Sequence, residues 1–85
     1  MSPKYGRFLQ YSIFFFSNEA NEPPHVHVSL AGTPNNSSKF WITKDEAIMA
    51  HNDARIASRD LNKIQKYLRE NAEDILECWN SFFLL

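Results

Sequence analysis

His25-Val26-His27-Val28-Ser29-Leu30 alternates strictly between two kinds of side chain. In an extended chain successive side chains point to opposite faces, so Val26, Val28 and Leu30 form one row and His25, His27 and Ser29 the other. The pattern is that of a strand with one side for a core and one side turned away from it. The prolines Pro23 and Pro24 precede it; they donate no ladder hydrogen bond and push the residue before them out of the helical region, so the approach is a loop. After it, Ala31 to Ser38 combines Gly32, Pro34, Asn35, Asn36 and two serines with no apolar period, which reads as a hairpin loop.

Upstream, Phe8 to Ser17 is rich in aromatic and β-branched residues, with Leu9, Tyr11, Ile13 and Phe15 in one row and Gln10 and Ser12 in the other. This predicts a first strand antiparallel to His25–Leu30. Downstream, Lys39 to Thr43 predicts a third, with Phe40 and Ile42 opposed to Lys39 and Trp41. Ala47-Ile48-Met49-Ala50 fits either a short strand or a helical turn, and Asn52-Asp53 a turn. From Ser58 the period becomes helical: Leu61, Ile64, Leu68, Ala72, Ile75, Leu76, Trp79, Phe82 and Phe83 fall on one stripe. Charge order divides that stripe. Lys63, Lys66 and Arg69 precede Glu73, Asp74 and Glu77, the reverse of what one macrodipole favours. A break at Asn71, with Ser58 and Asp60 opening the first helix and Asn71 capping the second, removes the conflict; a kinked single helix is the alternative. The expected fold is therefore α+β, a small antiparallel sheet of three to four strands covered on one face by one kinked or two C-terminal helices. Trp79 and Phe15 are the expected anchors of its core.

At 85 residues the chain has room for one domain, residues 1–85, around one core. Nine Lys and Arg against ten Asp and Glu give a formal charge of −1, which removes bulk electrostatic attraction to nucleic acid or anionic membranes. Cys78 is the only cysteine, so there is no internal disulfide and no Cys/His zinc framework, and a reducing cytosol is the expected compartment. Lys4 and Arg7 before an aromatic run resemble a secretory leader, but Gln10, Tyr11 and Ser12 interrupt it. No apolar stretch is long enough to span a bilayer, so no membrane partner is expected.

Composition does not account for the histidines. Two imidazoles two residues apart on a strand have Cβ atoms roughly 6–7 Å apart, close enough to share an ion or a phosphate. One reading is an acid/base pair or a metal half-site, with Glu19, Glu22 or His51 as a third group. Two ligands are short of the three that catalytic zinc needs, so no metal and no cofactor is assigned. The competing reading is a polar outer row, hydrogen-bonded to its neighbours. Cys78 beside Trp79 has no nucleophile-activating motif around it and reads as an inert, partly buried thiol. Arg59, Lys63 and Lys66 lie opposite Leu61 and Leu68 and form either a solvated row or a phosphate contact. With Gly6 and Gly32 the only glycines, a phosphate-cradling loop is excluded.

Taken together, Phe16-Ser17-Asn18-Glu19, Glu22-Pro23-Pro24-His25-Val26-His27-Val28, Lys39-Phe40-Trp41 and the closing Leu76-Glu77-Cys78-Trp79-Asn80 resemble a small prokaryotic family, domain of unknown function 4160. The likeness runs from about Tyr11 to Phe83, and its matching positions are Asn18, Glu19, Pro23, Pro24, His25, His27, Trp79 and Asn80. His51-Asn52 stands where the family has a tyrosine before the asparagine, and Thr33 to Ser38 lengthens the hairpin. The resemblance implies no established activity; it implies stand-alone proteins encoded beside a second small protein, in a toxin-antitoxin-like arrangement. The expected function is a non-enzymatic cytosolic binding module. It would dock the neighbouring gene product, or a second copy of itself, through Asn18, Glu19, His25, His27 and Trp41, with Phe14 and Phe16 on the same face. The rival is a hydrolase of RNA or phosphate esters using His25, His27 and Glu19. A third expectation is nucleic-acid contact through Arg59, Lys63 and Lys66.

Overall fold

A computed structural model describes residues 4–16, 21–30 and 36–83. Five strands and two helices follow one another along the chain: β1 (Lys4–Phe8), β2 (Tyr11–Phe14), β3 (His25–Leu30), β4 (Ser38–Ile42), β5 (Ala47–Asn52), α1 (Ser58–Glu70) and α2 (Ala72–Phe83). The strands form one antiparallel sheet in sequence order. The α+β class and the two C-terminal helices are as expected, but the sheet has five strands rather than three to four. One addition is β1. The aromatic run from Phe8 is not a single strand but turns back at Leu9-Gln10, where Phe8 pairs with Tyr11. Leu9 takes a positive φ of 55° there and is exposed, a turn position that usually announces itself by glycine or asparagine. The other addition is Ala47–Asn52, which is a strand on the sheet edge, bulged where its pairing to β4 shifts between Phe40 and Lys39.

Register sorts the side chains as the alternation demands. Ile13 pairs with Val28, and Val26 with Phe40, so Tyr11, Ile13, Val26, Val28, Phe40 and Ile42 share one face. That face joins Ile64, Leu68, Ala72 and Ile75 of the helices in one buried cluster, closed at one end by Phe15 and Trp79 in edge-to-face contact at 5.7 Å. Phe82 lies on the helical stripe yet is exposed, while Phe83, the last residue of α2, packs against the core.

The break between the helices falls at Asn71, and its chemistry differs from expectation. The Asn71 side chain does not cap α2; its amide donates backward to the Tyr67 carbonyl at 2.8 Å, adding to the bond that carbonyl already accepts from the Asn71 backbone N–H at 3.1 Å. Its own carbonyl accepts the Ile75 N–H and starts α2. Nor does Ser58 cap α1: it is the first helical residue, after Ala57 in extended conformation with no side-chain capping bond. The turn between β5 and α1 is held instead by Asn52. Its carbonyl oxygen accepts the Ser38 hydroxyl at 2.6 Å and the Ile56 N–H at 3.0 Å, and its amide donates to the Ile56 carbonyl.

Asp60 has a different use from the one its position in the first turn suggests. It accepts the Tyr11 hydroxyl at 2.7 Å, tying α1 to β2, as Asp74 accepts the Tyr5 hydroxyl at 2.6 Å and ties α2 to β1. The bond to Asp60, then burial, raises the Tyr11 pKa; burial, then Asp74, raises that of Tyr5. Groups whose folded pKa is raised stabilise fully below the unfolded value, about 10 for tyrosine, and that contribution is lost as pH climbs through the folded value. Thermal unfolding should therefore show a melting temperature that falls steeply above pH ~10. In Tyr11→Phe the same fall should be shallower; an unchanged slope would disprove the contribution.

Candidate functional site

Residues opposite the helices form the second face of the sheet. Phe14 pairs with His27, His27 with Lys39 and Lys39 with His51, giving a row across β2, β3, β4 and β5; His25, Trp41 and Ile48 form the next. His25 and His27 thus share a face, with ring centroids 5.1 Å apart and ring planes nearly perpendicular. The alternation from Val26 and Val28 predicts this placement. It does not predict their burial: His25 is 0 % and His27 4 % exposed, so the pair is enclosed rather than displayed.

Aromatic rings pack against both histidines. Phe16 lies 4.3 Å and Phe14 5.7 Å from the His27 ring. The His25 ring lies 5.4 Å from Trp41 and 5.0 Å from Trp79 of α2, so it touches both the outer face and the tryptophan that closes the core. Each remaining part of Glu22-Pro23-Pro24-His25 has a structural partner. Glu22 pairs with Lys39 at 2.6 Å, and the Lys39 ammonium lies 4.3 Å over the Trp41 ring. The Pro23 carbonyl meets His25 Nδ1 at 2.8 Å, which makes Nδ1 the protonated nitrogen because a carbonyl only accepts. The Pro24 carbonyl accepts the Ile42 N–H at 3.0 Å, extending the β3–β4 ladder by one bond. The motif works as a clip that seats β3 against β4 and α2.

Asn18 and Glu19, the latter proposed as a third group beside the imidazoles, lie outside the described residues. Glu22 is committed to Lys39. His51 is exposed on β5, 3.4 Å from Asp53, and sits two strands from His27, about 10 Å at ordinary strand spacing and beyond any shared ion. Among the described residues no group of three His, Cys, Asp or Glu side chains is placed to hold a metal. Cys78 is half-buried, and burial, followed by the charges of Asp74 and Glu77, raises its pKa, which keeps it a thiol. Arg59, Lys63 and Lys66 are exposed on α1, away from the histidines. No helix of the described residues is long and apolar enough to cross a membrane.

Two features had no sequence signal. Ile48 and Met49 are exposed apolar residues on the edge strand, Ile48 next to Trp41 in the outer row. A cleft of about 330 Å³ opens at the end of the sheet away from His25, walled by Gln10, Tyr11, Leu30, Arg55 and Ile56, and none of the candidate catalytic, metal or binding residues lines it.

These elements define a two-layer α+β protein whose histidine pair is built into one end of an antiparallel sheet. The chain belongs to the family described as domain of unknown function (DUF4160), which matches residues 11–80 and so spans every element except β1 and the last turn of α2. Neither a curated protein nor a solved structure matches it.

Proposed function

We propose that the chain is a non-enzymatic protein-binding module that docks a protein partner on the outer face of its sheet. The observation that carries this reading is the asymmetry of the two faces. Among the described residues both helices pack on the face of Ile13, Val28 and Phe40, while the other face carries a connected set of rings, Phe14, Phe16, His27, His25 and Trp41, running from β2 to β4. Phe16 and Trp41 are only partly covered, and Ile48 extends the set to the sheet edge at 47 % exposure. Aromatic residues seated on a rigid sheet, with a lysine over one of them, are the composition from which interface centres are made. His25 and His27 have a supporting role in this proposal: they fix the rings on either side of them. The toxin-antitoxin-like gene arrangement implied by the family resemblance makes the small protein encoded next to this one the first partner to test.

Co-expression of both proteins followed by affinity capture tests the proposal. A stable complex is expected, weakened at least about tenfold by Trp41→Ala and by Ile48→Asp, both of which should keep the native circular dichroism. No complex, or capture unchanged in both variants, would refute it. RNA cleavage by the purified protein, lost in a folded His27→Ala variant, would assign the pair to acid/base chemistry instead.

A further inference from the structure

The solvent side of the helix layer is divided by charge. On α1, Arg59, Lys63, Lys66 and Arg69 are all exposed, while Asp60 is drawn inward to the Tyr11 hydroxyl, so Glu70 is the one exposed acid of that helix. On α2 the exposed charges are Glu73, Asp74 and Glu77, and no Lys or Arg occurs between Ala72 and Phe83. Arg59, Lys63 and Lys66 lie four and then three residues apart, which stacks them on one ridge. The pairs that could neutralise the ridge within the chain, Lys66 with Glu70 and Arg69 with Glu73, are not made, and none of the four cations forms an ion pair with another described residue. The two helices contain 13 and 12 residues, about 20 and 18 Å, so one matches the other in length.

We propose that this surface binds a second copy of the chain, the basic ridge of α1 in each molecule lying antiparallel along the acidic ridge of α2 in the other. A two-fold axis makes the contact twice, α1 on α2 and α2 on α1, so a chain that carries both signs is complementary to itself. Antiparallel seating also opposes the two helix dipoles. A polyanion fits less well, because a strand following the ridge toward the end of α1 runs onto Glu70, Glu73 and Asp74. Exposed ion pairs contribute little each, so the dimer is weak and sensitive to salt. The contact uses the helix layer and leaves the outer sheet face open, which makes it independent of partner docking there.

Sedimentation of the full chain at concentrations up to about 1 mM, where a contact of this strength is populated, tests the proposal. A monomer-dimer equilibrium is expected at low salt, weakening at least about tenfold between ~0.05 and ~0.5 M salt. Lys63→Glu with Lys66→Glu should give a monomer, and adding Glu73→Lys with Glu77→Lys should restore the dimer; all four positions are exposed, and circular dichroism checks the fold. A monomer under every condition, or a dimer indifferent to salt and to the charge reversals, would overturn it. So would a wild-type monomer that retains a short nucleic-acid duplex and loses it on Lys63→Glu with Lys66→Glu, which assigns the ridge to polyanions.

Discussion

Trp79→Ala should cost the protein a large share of its stability. Trp79 is 5 % exposed and touches Phe15 of the core at 5.7 Å, His25 of the outer face at 5.0 Å and Phe83 of its own helix at 4.2 Å. Deleting a buried tryptophan costs about 3–5 kcal/mol in lost transfer energy and residual cavity. A chain of this length has a total of about 4–13 kcal/mol to lose. Urea unfolding followed by circular dichroism is expected to show the midpoint lowered by about a quarter or more, or no folded baseline at all. A loss under about 1 kcal/mol would mean that the indole is not seated as described.

How legible that seat was depends on which signal is asked for it. The helical stripe from Leu61 to Phe83 identifies the residues that face the sheet, because burial of a helix face leaves a period in the sequence. The break at Asn71 was legible from the order of basic and acidic residues, since each dipole end selects its own sign. The Asn71 amide was not, because the same side chain can accept for one helix or donate to the other, and geometry alone decides. β1 left no signal because its turn places leucine at the positive-φ position where a glycine would have marked it. β5 was ambiguous for a different reason. An edge strand with a bulge loses the period of two, and four residues such as Ala47-Ile48-Met49-Ala50 suit a helix equally well.

For the candidate site, the alternation of Val26 and Val28 settled which way the histidines point and nothing about what lies over them. Phe14 and Phe16 read as neighbours on a shared face; in the fold their rings close around His27. Lys39 and Glu22 are 17 residues apart, and no local pattern announces their ion pair or its place above Trp41. Such contacts depend on the register between strands, which the sequence specifies only through the sum of all its pairings.

His25→Ala is expected to be the second most damaging of these substitutions. The ring is fully buried among Trp41, Trp79 and His27, and its Nδ1–H satisfies the Pro23 carbonyl. Loss of the ring volume and the hydrogen bond together should cost about 3 kcal/mol. His25→Phe retains most of the volume and the ring contacts while discarding the titratable group, so it should recover more than half of that loss. If phenylalanine is no better than alanine for stability, the imidazole has a polar partner that matters more than its packing. If His25→Phe also keeps partner capture, the histidine contributes shape to the interface and not chemistry.

The central claim is that His25 and His27 are enclosed parts of the fold, while His51 is a surface residue. Deuterium exchange at the imidazole C2 position, read residue by residue by mass spectrometry, tests it directly because all three histidines of the chain report in one experiment. His25 and His27 should exchange at least about tenfold more slowly than the exposed His51, as expected for groups reached only by local opening. Equal rates at all three would contradict the account and return the pair to the open surface.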